Sequence, residues 1–261
     1  MPDVPDYSFT RRHEGGVDLR AAWEAQGAEW IAWARKPGHD SYWRFHRDQF
    51  LEVVPEPGRR TLDLGCGEGR LSRDLRSLGH EVVGADVSPG AVEAAKTEDP
   101  SIPVIVAEAA ALPFPSASFD LVAAFMSLQD VDDLHGSVTE ASRVLEPGGR
   151  LCLAIVHPLN SAGEFEDLEA DSRFVISGSY MEPSFYEDEL ARDGLRIVFT
   201  SAHRPLADYA SALFGAGFVI DRLREPTAPL QDDAPDRRKR WHRVPLFLHI
   251  RAVKLPQSSS R

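Results

Sequence analysis

The chain has 261 residues, of which 43% are hydrophobic and 27% charged, with a formal net charge of −12 and a sequence pI of about 5.2. That length is enough to bury one sizeable core, and the excess of acid sets up a field that repels phosphate backbones, so nucleic acid is not an expected partner. The two cysteines, Cys66 and Cys152, lack a metal-ligand or paired spacing and read as free thiols of a reducing compartment. The first residues lack the apolar stretch of a secretory signal, and no run approaches the roughly 20 apolar residues of a membrane span, so a cytoplasmic protein without a membrane partner is expected.

In chain order, residues 1–17 form a polar leader. Asp18 is placed to cap a helix in which Leu19, Ala22, Trp23, Trp30, Ile31 and Ala34 recur at helical spacing up to Pro37 and Gly38. A second helix starts near Asp40, carries Tyr42, Phe45, His46, Gln49, Phe50 and Val53 on one face, and is closed by Pro55, Pro57 and Gly58. Residues 18–58 thus read as an N-terminal helical addition. From 59 to 156 short apolar runs alternate with helical segments, the signature of a parallel sheet covered on both faces, with strands expected at 61–64, 81–86, 103–107, 119–125 and 150–156. Ser88 followed by Pro89 reads as a helix start, and Pro147-Gly148-Gly149 as a helix end. Residues 157–204 break the alternation and read as a strand-rich lid inserted into the core. Residues 205–254 return to it with a helix over 205–214, the strand FVIDRL, a loop rich in proline and charge, and a last strand PLFLHIRAV; 255–261 form a tail. The fold class is α/β, a doubly wound, mostly parallel sheet.

The segment TLDLGCGEGR carries the first chemistry. A buried-type strand runs into Gly65, Gly67 and Gly69, and glycine there permits positive φ and removes side chains, so that a ligand can approach the backbone closely. The spacing G-x-G-x-G differs from the G-x-G-x-x-G of pyrophosphate-binding sites, which disfavours a nicotinamide or flavin cofactor. Asp86 ends the second strand roughly 20 residues further on, where a carboxylate can accept bonds from both hydroxyls of a ribose. Glu108 ends the third strand, at the edge where open α/β sheets bind ligands, and can accept from an adenine amino group.

Together LDLGCGEG, the acidic end of GADVS, EAAALPFPSASFDLV and RVLEPGGRL resemble the class I S-adenosylmethionine-dependent methyltransferases over about residues 60–157. The resemblance implies a seven-stranded Rossmann-like methyltransferase fold with an antiparallel last strand, and S-adenosylmethionine as cofactor. It places Asp63, Gly65, Cys66 and Gly67 at the methionine half and Asp86 at the ribose. Val87 falls beside the adenine, with Glu108, where the family more often has aspartate, and the Ala109 amide at the adenine edge. Of Met126-Ser127-Leu128 after the fourth strand, Met126 is expected beneath the sulfonium. The N-terminal helices are expected to fold over the cofactor, with Tyr42 and Arg44 as candidates for its carboxylate.

The implied activity is methyl transfer to an O, N or C nucleophile of a small organic molecule, by an in-line displacement that depends chiefly on positioning. His157 and His203 are candidate bases, each weighed against a structural role in bonding a backbone group. Glu164, Tyr180 and Tyr186 are weaker lid candidates. Trp23, Trp30, Trp33 and Trp43 suit either a substrate wall or ordinary packing, which is commoner at helical spacing. The run Arg237 to Arg240 follows Asp232, Asp233 and Asp236 and reads as a self-paired solvated loop. No metal is required, although Asp130, Asp132 and Asp133 leave metal assistance open. Two rivals remain: a protein that binds S-adenosylmethionine without methylating, and, more distantly, a nicotinamide-dependent oxidoreductase. Neither the acceptor nor the oligomeric state has a signature in the sequence.

Overall fold

The computed structural model describes residues 9–13, 16–36, 38–176, 178–228 and 239–256. Most of the polar leader, the acidic stretch before the basic run, Arg237 and Arg238, and residues 257–261 of the tail lie outside them. Strand β1 (Phe9–His13) is followed by helices α1 (Leu19–Ala25) and α2 (Gly27–Arg35), a π-helical turn at Tyr42–His46, and α3 (Arg47–Leu51). The core then runs β2 (Thr61–Leu64), α4 (Arg70–Ser77), β3 (Val82–Asp86), α5 (Pro89–Glu98), β4 (Val104–Val106), β5 (Phe119–Phe125), α6 (Leu134–Val144) and β6 (Leu145–Val156). After it come α7 (Pro158–Ser161), β7 (Gly163–Phe165), β8 (Phe174–Ile176), β9 (Ser184–Arg192) and β10 (Leu195–His203). The chain ends on α8 (Leu206–Gly215), β11 (Phe218–Arg224), a 3-10 turn at Arg240–His242 and β12 (Phe247–Lys254).

The main sheet has seven strands in the order β11-β12-β6-β5-β2-β3-β4. Strands β6, β5, β2, β3 and β4 are parallel, and β12 is antiparallel to both β6 and β11, giving the doubly wound, mostly parallel sheet expected from the sequence. From β2 the chain moves to β3 on one side and later to β5 on the other. The carboxyl ends of β2 and β5 therefore flank the switch point, where such sheets open a crevice.

Alternation along the central strands feeds two hydrophobic layers. Val122, Ala124, Leu151, Leu153 and Ile155 join Leu62 and Leu64 against Val138 and Ala141 of α6 and Leu213 of α8. The intervening Leu121, Ala123, Phe125, Cys152 and Ala154 face Leu71, Leu75, Val92 and Phe50. Each buried aliphatic side chain of this kind contributes about 1.5–3 kcal/mol. The helix starts follow their capping residues: Asp18 Oδ1 accepts from the Ala21 amide at 2.8 Å, Ser88 Oγ from Ala91 at 3.3 Å, and Asp133 Oδ1 from Gly136 at 2.8 Å.

Three local features depart from the sequence expectation. The second N-terminal helix is not continuous: Asp40 Oδ1 accepts from the Tyr42 amide at 2.6 Å, and the chain makes a π turn before α3. Pro147-Gly148-Gly149 falls inside β6, which begins at Leu145 rather than at Arg150: Leu145 pairs with Phe119, the chain turns at Gly148 with φ +81°, and pairing resumes with Arg150 opposite Leu121. Within the stretch read as polar leader, residues 9–13 form β1, which pairs antiparallel with β9 (Phe9 opposite Asp188, His13 opposite Phe185) and completes a three-stranded sheet with β10. Strand β10 carries α1 and α2, with Trp33 packed on Leu190 and Ile197. The N-terminal helices and the residue 157–204 insertion therefore form one roof beside the carboxyl edge of the main sheet. Among the described residues no helix is long and apolar enough to cross a membrane.

Candidate active site

The glycine loop forms the base of a cavity at the switch point. Gly65 has φ +72°, and a Cβ there would lie 2.4 Å from Ser127 Cβ, so only glycine lets the end of β2 meet the end of β5. Ser127 Oγ donates to the Leu64 carbonyl at 2.7 Å and ties the two strand ends together. Gly67, with φ +55°, donates its amide to Asp86 Oδ2 at 2.8 Å, and the Ser88 amide donates to Asp86 Oδ1 at 2.9 Å. Each oxygen of Asp86 is thereby fixed by one backbone bond and keeps a second lone pair, on a side chain that lines the cavity. Burial raises the pKa of Asp86, and the amides of Ser88 and Gly67 oppose the shift. Asp63, 1% exposed, accepts from Ser72 Oγ at 2.6 Å, and burial pushes its carboxyl up to about 7. Cys66 lines the same loop, with burial raising its thiol pKa far above the ordinary value.

Val87, Glu108 and Ala109 line the cavity beyond Asp86. Glu108 is exposed and lies 4.0 Å from Arg20, a contact that water weakens. Met126 has φ +55°, donates its amide to the Ala154 carbonyl at 2.8 Å and accepts from Gln129 Nε2 at 2.8 Å. A non-glycine residue in that conformation is uncommon, and here it turns the chain at the end of β5 so that Met126 lines the cavity.

The cavity wall includes neither Tyr42 nor Arg44. Tyr42 is fully buried and donates its hydroxyl to Asp74 Oδ2 at 2.5 Å, and Arg47 bonds the same carboxylate. The cations on the wall are Arg20, beside Glu108, and Arg70, next to the glycine loop. Arg70 leads α4 directly out of the glycine loop, stacks over Tyr42 at 4.4 Å and Trp30 at 4.9 Å, and holds Nη1 3.0 Å from Asp40 Oδ2 without an aligned hydrogen bond. An arginine one position after the last glycine of the loop was a readable signal, because the first residue of that helix must lie beside the crevice.

The roof supplies the rest of the wall. In β9 and β10 Tyr186 lies opposite Ser201 and Asp188 opposite Phe199, so the four side chains share the face turned to the cavity. Phe199 packs edge-on against Trp23 and Trp30 at 6.1 and 5.9 Å, and the two indoles are 5.9 Å apart. Ser201 Oγ donates to Asp130 Oδ1 at 2.5 Å and Gln129 Nε2 to Asp130 Oδ2 at 3.1 Å; burial pushes Asp130 up to about 8 against these bonds. Burial pushes Asp188 up to about 8, and among the described residues its Oδ1 has no hydrogen-bond partner. Val156, Asn160, Leu246 and Phe247 complete the enclosure.

Neither histidine candidate reaches this wall. His157 caps α7, with Nδ1 accepting from the Leu159 amide at 3.0 Å and Nε2 donating to Glu225 Oε1 at 3.1 Å; burial lowers its pKa while Glu225 opposes. His203 is fully buried, Nε2 donating to the Tyr180 carbonyl at 3.0 Å and Nδ1 2.7 Å from Ser161 Oγ. Both rings have their nitrogens committed to the scaffold. Of the lid candidates, Tyr186 lines the cavity, Tyr180 braces α8 by accepting from the Leu206 amide at 3.1 Å, and Glu164 is exposed on β7. Of the tryptophans, Trp23 and Trp30 line the cavity, Trp33 is core and Trp43 is half exposed. Among the described residues no group of acids, histidines and cysteines is arranged to hold a metal ion, and Asp132 and Asp133 serve the helices, Asp132 by accepting from the Leu19 amide at 3.0 Å.

Comparison with known proteins agrees with this geometry. The model of a family described as "Methyltransferase domain" matches residues 62–153. The demethylmenaquinone methyltransferase of Beutenbergia cavernae is 38% identical over 117 residues, 45% of this chain and 48% of that protein. That of Renibacterium salmoninarum is 38% identical over 103 residues, 39% of this chain and 44% of that protein. The chain thus spans about half the length of the curated relatives it matches. A crystal structure of an S-adenosylmethionine-dependent methyltransferase from Mesorhizobium loti superposes with a TM-score of 0.67 at 25% identity, covering 82% of this chain and 98% of that one. The matched domain, the strand order and the glycine loop with its strand-end acids agree: residues 62–153 match a methyltransferase domain, carried on a fold shared with S-adenosylmethionine-dependent methyltransferases.

Proposed function

We propose that this chain transfers the methyl group of S-adenosylmethionine to a small organic molecule held between the glycine loop and the roof. The observation that carries the reading is that the ligand-ready carboxylate of Asp86 and the roof residues Tyr186, Asp188 and Phe199 line one continuous cavity. Cofactor and acceptor can therefore meet in a space shielded from water.

The residues present fit the cofactor. Asp86 would hold the ribose hydroxyls with its free lone pairs, Glu108 and the Ala109 amide the adenine edge, and Val87 the adenine face. Arg70, whose Nη1 lacks an aligned partner, would take the carboxylate, and Asp63 lies behind the loop for the amino end. When bound, S-adenosylmethionine supplies an electrophilic methyl group on a sulfonium. The chain's own part is to fix both reactants, exclude water with Trp23, Trp30, Phe199 and Phe247, and present Met126 at the turn where the sulfur end is expected. Asp130, raised to about 8 and bonded by Ser201, is the wall group suited to take a proton from an acceptor, a place neither His157 nor His203 can fill.

The curated relatives are named for demethylmenaquinone, but the family match ends at residue 153, before the roof strands that would contact an acceptor. Their acceptor is therefore not carried over. The test is calorimetric titration with S-adenosylmethionine and S-adenosylhomocysteine, followed by incubation with labelled methyl donor and candidate acceptors. Micromolar binding and label transfer support the reading. Absence of binding by folded protein refutes it, and binding with no transfer to any acceptor favours a non-methylating role.

A further inference from the structure

Resting on the methyltransferase reading, we propose that the acceptor carries a protonated amino group, and that Asp188 on β9 is the residue that recognises it.

Asp188 is 4% exposed and lies on the cavity wall, yet among the described residues its Oδ1 has no hydrogen-bond partner. A carboxyl buried in this way carries a desolvation penalty that a stable fold normally offsets with a donor or a cation. The other acids of the wall have such partners: Asp86 the amides of Gly67 and Ser88, Asp63 the hydroxyl of Ser72, and Asp130 Ser201 and Gln129 with Arg204 close by. Among the described residues burial is the one influence acting on Asp188, with no basic group offsetting it. Gln129, also 4% exposed, leaves its Oε1 without a donor on the same wall. Two buried acceptors without donors call for a ligand that brings several N–H groups, and an ammonium brings up to three.

The surroundings select a cation over a neutral donor. Phe199 sits directly across the strand pair from Asp188 and joins Trp23 and Trp30 in a cluster of three rings, whose faces attract ammonium groups. The basic residues on the cofactor side are already drawn elsewhere, Arg70 to Asp40 and the rings of Tyr42 and Trp30, and Arg20 to Glu108. The acceptor side of the wall thus combines a carboxylate, an amide oxygen and aromatic rings, a set complementary to an aryl- or alkyl-amine.

The test uses the full chain saturated with S-adenosylhomocysteine and compares tryptamine and 2-phenylethylamine with their neutral counterparts, tryptophol and 2-phenylethanol, by calorimetry. At least one amine is expected to bind tenfold or more tighter than its alcohol. Asp188→Asn is expected to remove that preference while keeping the affinity for S-adenosylhomocysteine, which also reports that the variant is folded. Asp188→Glu, which retains the charge, is expected to keep part of the preference. Equal binding of amine and alcohol, no binding of either amine to protein that binds S-adenosylhomocysteine, or an amine preference that survives Asp188→Asn would overturn the inference. Failure of S-adenosylhomocysteine to bind instead sinks the methyltransferase reading; the amine titrations are therefore repeated on the ligand-free chain, where the same outcomes decide the role of Asp188.

Discussion

Replacing Asp86 by alanine tests the cofactor site at its most constrained point. The carboxylate already accepts one amide bond on each oxygen, from Gly67 at 2.8 Å and Ser88 at 2.9 Å, so the variant loses two bonds that order the glycine loop as well as the acceptors for the ribose. Hydrogen bonds to a charged acceptor contribute about 1.5–3 kcal/mol each, and the ribose pair shares one charge, so a loss of roughly 2–4 kcal/mol is expected. That corresponds to a roughly 30- to 1000-fold weaker Kd for S-adenosylhomocysteine by titration calorimetry. Asp86→Asn separates the two contributions. It keeps one good acceptor but turns an NH2 group toward the other backbone amide, so both loop order and affinity should fall, by less than in the alanine variant. If Asp86→Ala folds and binds S-adenosylhomocysteine within threefold of the parent chain, the ribose assignment is wrong and the carboxylate serves only the loop.

Other outcomes follow from the same contacts. Gly65→Ala places a Cβ 2.4 Å from Ser127 Cβ at a φ of +72°, so it should lower Tm and abolish measurable cofactor binding; an unchanged Kd would contradict the tight junction of β2 and β5. His157→Gln and His203→Gln should leave turnover per folded molecule within about threefold while lowering Tm, since both rings are tied to the scaffold; a hundredfold loss of kcat in a stable, cofactor-binding variant, the scale of a general base, would restore a histidine base. The pH dependence of stability has a definite sign. Asp188 titrates near 8 when folded against 3.8 as the ordinary value, so the ligand-free folded state holds a proton that the unfolded chain releases between those values. Stability should therefore fall as pH rises through that window, by up to about 1.4 kcal/mol per pH unit for this group. Asp188→Asn should flatten that fall in denaturant titrations at several pH values, and an identical slope would mean that the buried carboxyl is already compensated.

The cofactor half of the molecule was legible because its constraints are local. A strand buried on both faces, three glycines and an acid at the next strand end are adjacent in the sequence, and the backbone of one turn brings them together at Gly67 and Asp86. The same locality made Ser88 and Asp18 readable as caps. Arg70 was equally local, one position past the last glycine; Tyr42, the more distant candidate, packs inward, and its ring supports the guanidinium of Arg70.

The acceptor half was decided by contacts far apart in the chain. That Phe9 pairs with Asp188, that Ser201 reaches Asp130, and that Trp23 and Trp30 meet Phe199 depends on how the N-terminal segment and the insertion close on each other. No periodicity announces such meetings, because a strand face shows only which side chains share a side and not what they face. His157 and His203 illustrate the converse. Position after a core strand or before a helix suggested chemistry, and only the tertiary hydrogen bonds to Leu159, Glu225 and Tyr180 show that both rings hold the scaffold. The sequence alone determined the doubly wound sheet and the glycine loop at its switch point, since hydrophobic alternation and glycine stereochemistry act within a few residues. The tertiary structure decided what the roof presents to the cavity, because burying Asp188 beside aromatic rings takes segments separated by most of the chain.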